Sequence, residues 1–425
     1  MGTAKRHFHN SRATNGLESE EGIQVKKILF ISGSLGLGHV VRDIEIAKEI
    51  RKLRTDVEIS WMAEHPASEV LEKAGERLLP ESSQLYSSNL ELEKTTKEYK
   101  ANLVQWVKAV QKGWTKNAGV YAKISETYDF DLWIGDEPYD IMIFLVKNPN
   151  LKKCPFVVIN DCLGLDTNAW NPMEHLIVSL TNKAWLNFLT SEPPLAELNI
   201  IIGELEDIPN KSFGFTRPNR RRTAEKFAKF VGYILPEDIE KFKDKAYARR
   251  RLNYEDEPLI ICSIGGTSAG KDLLYLCIDA YPTIKKKIPD LKMILVCGPR
   301  LEPNAIKAPE GVKVVGYVPD LYRHLGAADL SIVTGGGTIT IELTALERPF
   351  LYFPLREHAE QQFAVAPRCK RHNAGVRMDY AKTTPEQLAE AVVSNISKQV
   401  SYPRLPIKGA QETARLVSQV LSRQV

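Results

Sequence analysis

Val333-Thr-Gly-Gly-Gly-Thr-Ile-Thr-Ile-Glu-Leu343 is the stretch whose reading decides the fold. Apolar residues enter it from Leu330, glycines 335, 336 and 337 turn the chain, and the helix expected next carries hydroxyls and one acid, Glu342. The apolar run Pro349-Phe-Leu-Tyr-Phe-Pro354 and the polar group His358-Ala-Glu-Gln-Gln362 follow. A strand, a glycine turn, a helix and a second strand form one unit of a parallel sheet. Backbone N–H groups where a glycine turn opens a helix point at an anion, and the helix dipole adds to their pull on a diphosphate. Gly335, Gly336, Gly337 and Thr338 are placed for that contact. Glu342 is placed either to accept hydrogen bonds from a ribose diol, as acids do in other nucleotide folds, or to be an ordinary acid on a helix surface.

The same order recurs upstream. Leu259 to Ile264 reads as a strand, Gly265-Gly-Thr-Ser268 as a turn, and Leu273, Leu274, Cys277, Ile278 and Tyr281 as the apolar stripe of a helix. Gly265, Gly270 and Lys271 fall at P-loop spacing, but Asp272 stands where a magnesium-binding hydroxyl belongs, and its charge would repel phosphate. The segment is therefore read as a phosphate-facing loop. Lys292 to Cys297 and Val312 to Tyr317 supply further strands. Such β-branched runs alternating with helices imply a parallel, doubly wound sheet whose ligands sit at the strands' carboxyl ends.

The N-terminal half opens in the same way. Lys26 to Ser32 reads as a strand, Gly33-Ser-Leu-Gly-Leu-Gly-His39 as a glycine turn, and Val40, Ile44, Ala47 and Ile50 as one helical stripe. The glycines do not follow G-x-G-x-x-G, which disfavours a nicotinamide enzyme. His39, in a first helical turn whose dipole disfavours added positive charge, is either a neutral base or a packing and capping residue. Strands at Val57 to Ala63, Asp131 to Gly135 and Phe156 to Asn160 end in Glu64 and His65, Asp136 and Glu137, and Asn160 and Asp161. These acids are either hydroxyl partners for a polyol or helix caps.

The chain has 425 residues and a net charge of +4, enough for two domains and too little charge to argue for nucleic acid. Its six cysteines form no C-x-x-C pair and read as reduced core residues of a cytoplasmic protein. Residues 1–24 are polar without a signal-peptide core and are expected to be a disordered tail. No apolar stretch reaches the roughly 20 residues of a membrane helix, so membrane contact would be peripheral, through Lys97 to Lys116, Arg217 to Lys229 or Lys241 to Arg251. Those stretches also suit solvated helix faces. The boundary between an N-terminal domain, 25–232, and a C-terminal domain, 233–425, is expected at Val231-Gly-Tyr-Ile-Leu-Pro236, whose glycine and proline suit a hinge.

These motifs, in this order from about Lys26 to Val420, resemble the GT-B glycosyltransferases, specifically the MurG-like and UDP-glycosyltransferase group. The resemblance implies two Rossmann-like α/β domains facing across a cleft, with the final helix packing back on the N-terminal domain. It implies that Gly36, Gly38 and His39 lie on the acceptor side, with Asp136 and Glu137 as further acceptor-side candidates. It places the donor against Gly265, Gly266, Thr267 and Ser268, against Tyr317 and Val318 beside the base, and against the Gly335 turn, with Glu360 and Gln361 on the donor sugar. Thr334 stands where many members carry histidine or arginine. The implied activity is metal-independent, inverting transfer from a UDP-linked sugar to a hydroxyl acceptor, a lipid-linked one among those open, with no separate cofactor. Asp129-Phe-Asp131 has D-x-D form, but it leads into a strand away from the glycine turns. A nucleotide-sugar epimerase of the same fold and a non-catalytic sugar-binding module are the alternatives.

Overall fold

The structure is a computed structural model that describes residues 25–33 and 36–423. The expected tail, and Ser34 and Leu35 of the first glycine turn, lie outside the described residues. The N-terminal half holds a seven-stranded sheet of β1 Lys26–Ile31, β2 Val57–Met62, β3 Arg77–Leu78, β4 Leu132–Asp136, β5 Phe156–Asn160, β6 Leu198–Ile201 and β7 Lys229–Phe230. The C-terminal half holds a six-stranded sheet of β8 Leu259–Ser263, β9 Lys292–Val296, β10 Val312–Val315, β11 Leu330–Thr334, β12 Phe350–Phe353 and β13 Val376–Arg377. Every pairing is parallel.

The strand orders are β3-β2-β1-β4-β5-β6-β7 and β10-β9-β8-β11-β12-β13. In both, the order reverses beside the first strand, and at such a switch point the loops after neighbouring strands part and leave a crevice. The first sheet's crevice lies between the ends of β1 and β4, the second's between the ends of β8 and β11. All of the glycine turns singled out in the sequence leave these strands. The central strands are buried on both faces, β5 and β8 along their whole length, as a sheet covered by helices on both sides requires.

Among the contacts that tie the halves together, two are built on fully buried tyrosines. Residues 97–100 form a tight antiparallel turn, Lys97 N–H to Lys100 O at 3.0 Å and the reverse at 2.9 Å. Its central residues, Glu98 and Tyr99, both have positive φ, 50° and 56°, the geometry of a type I′ turn. The turn drives Tyr99 into the C-terminal core, where its ring is fully buried and stacks on Tyr380 at 4.5 Å. The Tyr99 hydroxyl donates to Phe353 O at 2.7 Å, and its N–H donates to Asp272 at 3.1 Å. Asp272, the residue that spoils the P-loop pattern, thus holds this strap.

The second tie is a double crossing of the chain. At the expected hinge, Tyr233 is fully buried, its N–H donates to Pro406 O at 2.7 Å, and Gly409 N–H donates to Tyr233 O at 3.0 Å. Gly232 lies at φ +79°, and a Cβ there would overlap Pro406 O. The segment read as a hinge is packed and hydrogen-bonded because a returning strand of chain covers it. The helix that follows, Gly409–Ser422, puts Ala410, Ala414, Val417 and Leu421 into the N-terminal core against the helix Gly38–Leu53. Among the described residues no helix is long and apolar enough to cross a membrane.

Candidate active site

His39 is the second residue of the helix Gly38–Leu53, which starts at the carboxyl end of β1. Asp136 ends β4, the neighbouring strand. That adjacency brings His39 Nδ1 to 2.8 Å from Asp136 Oδ2, with both side chains buried. Arg42, one helical turn beyond His39, donates from Nη2 to Asp136 Oδ1 at 2.6 Å and from Nη1 to Asp161 at 2.9 Å. Arg42 Nη2 also lies 2.8 Å from His39 Nδ1. One nitrogen cannot both donate to Asp136 and accept from Arg42. A carboxylate only accepts and the guanidinium already has Asp136, so Nδ1 carries the proton and Nε2 is left as the basic nitrogen.

The charges around the pair are sorted by their surroundings. Burial opposes ionisation of Asp136, but Arg42 and His39 outweigh it and hold its carboxyl below the usual range. Asp161 is likewise held low against burial, chiefly by Arg42. Glu137 goes the other way: burial, then the charge on Asp161, pushes its carboxyl far up. Its Oε2 lies 3.7 Å from His39 Nε2. Ligand atoms of His39, Glu137 and Asp161 lie within 4.8 Å of one another, a donor set that suits a divalent cation, but the Arg42 guanidinium already supplies positive charge there. The Asp129-Phe-Asp131 match lies at the far end of β4, where Asp131 binds Lys26 and the Lys27 N–H.

Across the cleft, the helix Gly337–Ala345 begins directly after β11 with no side-chain cap and no acid in its first turn. Its leading N–H groups are therefore open to an anion. The glycine turns of the two halves meet: a Cβ on Gly38 would overlap Thr338 Oγ1, and one on Gly266 would come within 2.7 Å of Leu37 N. A cavity of about 500 Å³ runs between them, within the usual size of a small-molecule site. Its walls include Gly36, Gly38 and His39 from the N-terminal half, and Gly265, Gly266, Thr267, Tyr317, Val318, Gly336, Gly337, Thr338, Glu342, Glu360 and Gln361 from the other.

Four of the candidate site residues lie elsewhere, among them Glu137, which lines a side cavity instead. Ser268 turns toward the N-terminal half, its N–H donating to Glu93 at 3.0 Å. Gly335 is a packing glycine, since a Cβ there would lie 2.9 Å from Pro354 Cα. Asp136 stands behind His39 rather than on the cleft wall. Glu342 is buried and desolvation raises its carboxyl to about 8. Glu360 rises to about 7 through burial first and Asp161 second. Gln361 starts a π-helical turn, Gln361–Val365, and spends its Oε1 on Leu355 N–H at 2.8 Å, leaving its NH₂ free to donate.

Arg42 and Arg368 were not assigned to the site from sequence, and Asp161 was read as either a polyol partner or a helix cap. Arg42 is one turn from His39 on the same helix face, a spacing that was readable. Arg368 donates to Gly337 O at 2.9 Å and Thr340 Oγ1 at 3.2 Å, bringing positive charge beneath the uncapped helix; no local pattern marks it.

Two opposed doubly wound sheets with this cleft define the GT-B fold of glycosyltransferases. Residues 260–420 match the model of the glycosyltransferase family 28 C-terminal domain. An uncharacterized glycosyltransferase of Methanopyrus kandleri is 24% identical over 194 residues, 45% of this chain and 54% of that protein, so the chain spans about half the length of the curated relative it matches. The glycotransferase of kitacinnamycin superposes with a TM-score of 0.60 at 17% identity, covering 93% of this chain and 99% of that one. A spinosyn rhamnosyltransferase solved with spinosyn aglycone gives 0.53 at 12% identity, covering 93% and 96%. Its complex with thymidine diphosphate gives 0.52 at 14%, with the same coverage.

Proposed function

We propose that the protein transfers a sugar from a nucleoside diphosphate, UDP by preference, to a hydroxyl acceptor, with inversion, without a metal and without a separate cofactor. The observation that carries this reading is the opposition of the Asp136-held His39, on one wall, to the uncapped Gly337 helix, on the other wall of one cleft. The acceptor hydroxyl gives its proton to His39 Nε2 as its oxygen attacks the anomeric carbon. The anomeric C–O bond breaks, and its electron pair leaves on the β-phosphate oxygen. The Gly337 helix N–H groups stabilise that growing charge, with Arg368 beneath them. Base and leaving group on opposite walls support in-line attack, hence inversion.

Glu342 reads the ribose, Tyr317 and Val318 flank the base, and Glu360 with the Gln361 amide reads sugar hydroxyls. The fold relative solved with thymidine diphosphate supports a nucleoside diphosphate in this cleft.

Labelled UDP-sugars are incubated with the protein in EDTA, with and without an acceptor panel. Acceptor-dependent transfer is expected, and His39→Ala is expected to keep UDP affinity while transfer slows at least about a hundredfold. Transfer by His39→Ala at the wild-type rate under saturating acceptor would remove His39 as the base, and acceptor-free isomerisation of the donor would replace the transferase by an epimerase.

A further inference from the structure

A second cavity, of about 170 Å³, opens beside the cleft and is walled by Trp106, Trp114, Tyr139, Met142, Leu165 and Trp185. It touches the donor cavity through shared wall residues, Leu92, His358 and Glu360. Glu137, whose carboxyl lies 3.7 Å from the basic nitrogen of His39, is part of its inner wall. A group seated in this chamber therefore has its inward end at the proposed base.

The chamber's chemistry is specific. Trp106 and Trp114 meet edge to face at 5.9 Å, and both indole N–H groups are tied outside it, to Ser88 O and Ser88 Oγ at 3.2 Å each. What these rings turn to the chamber is carbon. Tyr139 and Trp185 form a second edge-on pair at 5.4 Å. Burial pushes His358 down to about 4 and the Glu137 carboxyl far up, so charge is disfavoured on both where they meet the chamber. Glu357 on the same wall is paired with Lys100 at 2.9 Å, and Glu360 is raised to about 7. Trp185 is 5% exposed and its indole N–H has no hydrogen-bond partner, which leaves one buried donor for an oxygen on the occupant. Cavities of about 150 Å³ with such linings take up a benzene-sized ring.

Resting on the transferase reading above, we propose that the acceptor carries its hydroxyl on an apolar group about one to two aromatic rings in size, which the chamber holds while the hydroxyl faces His39. A sugar or polyol acceptor would bury hydroxyls against indole carbon without partners, so the chamber selects against it.

The probe is 2-naphthol, followed by tryptophan fluorescence and as an acceptor with labelled UDP-sugar; glycerol and free hexoses are the comparators. UDP binding is measured separately by calorimetry. Naphthol is expected to quench fluorescence saturably and to become glycosylated, with the comparators at least tenfold poorer by kcat/KM. Ala184→Phe, which fills the chamber from the helix Pro172–Leu189, is expected to raise naphthol KM at least tenfold while UDP affinity stays unchanged. UDP binding with no naphthol binding, with hexoses as the better acceptors, or with an unaltered naphthol KM in Ala184→Phe would overturn this inference alone. Absence of UDP binding would instead overturn the function on which it rests.

Discussion

His39 acts as a base only if its ring is held with Nε2 toward the cleft, and that orientation comes from Asp136, which is itself fixed by Arg42. Asp136→Asn keeps the volume but offers Nδ1 an amide in place of a carboxylate. We expect kcat to fall about 10² to 10⁴-fold while UDP affinity holds, measured by initial rates and calorimetry on protein shown to be folded by circular dichroism. Equal losses in kcat and UDP affinity would mean that Asp136 maintains the cleft and does not orient the base. Glu342 makes a second prediction because its carboxyl, raised to about 8 by burial, is mostly protonated at pH 7. A raised carboxyl favours the folded state while it is protonated, so this contribution is lost as pH rises from about 4.5 toward 8. Were Glu342 to read the ribose as proposed, the ribose hydroxyls would replace the water that burial removed and stabilise the carboxylate, so nucleotide binding would expel a proton. Calorimetry of UDP at pH 7 should show a buffer-dependent heat that Glu342→Gln reduces. Identical buffer dependence in the two proteins would remove Glu342 from the ribose.

At the scale of elements, the opposing glycine turns set the width of the cleft. Gly38→Ala places a methyl where Thr338 Oγ1 lies, and relieving such an overlap costs about 1–3 kcal/mol. UDP affinity is expected to fall about tenfold, with part of the loss restored by Thr338→Ala; unchanged affinity would show that the turns separate freely. The strand and turn pattern was legible at this scale because β1, β4, β5, β8, β9, β11 and β12 are largely buried runs bounded by glycine, proline or acids. The short edge strands Arg77–Leu78 and Val376–Arg377 carry no apolar run and were not readable. The site was legible where a motif is local, as at His39 and the Gly337 helix. It was not legible where a partner lies on a distant strand: Asp136 was expected on the acceptor side and instead stands behind His39, because β1 and β4 are neighbours only in the sheet. The tryptophan-bearing stretch Lys97 to Lys116, a candidate for membrane contact, instead turns Tyr99 into the C-terminal core and Trp106 and Trp114 to the side chamber. In the other two basic stretches, Arg220 and Arg249 are buried on Asp166 and Asp329. Composition alone does not distinguish an inward aromatic face from an outward one.

For the whole molecule, the strap at Tyr99 bears on how far the halves move. Two domains joined by a single hinge should close on a nucleotide, but Tyr99 is anchored by a stacked ring and two hydrogen bonds in the opposite half. Small-angle scattering is expected to give nearly the same radius of gyration with and without saturating UDP. Tyr99→Ala, which removes a buried ring at a cost of about 3–5 kcal/mol, should enlarge the free protein and make UDP compact it. A wild-type protein that contracts on UDP as much as the variant would show that the strap does not restrain the halves. Salt is expected to alter UDP affinity little, since backbone donors in a partly dry cleft are screened less than surface cations.

The helix Gly409–Ser422 covers the back of the helix that carries His39, and this gives the order of synthesis a bearing on activity. Emerging chains generally fold from the N-terminus as they are made, yet here the first sheet lacks part of its cover until the whole second sheet has left the ribosome. A chain stalled between β7 and the final helix would hold every candidate base and acid of the first half and still leave the His39 helix with an exposed apolar flank. Activity would thus be withheld from unfinished chains, and that uncovered flank would offer chaperones a place to bind until synthesis is complete.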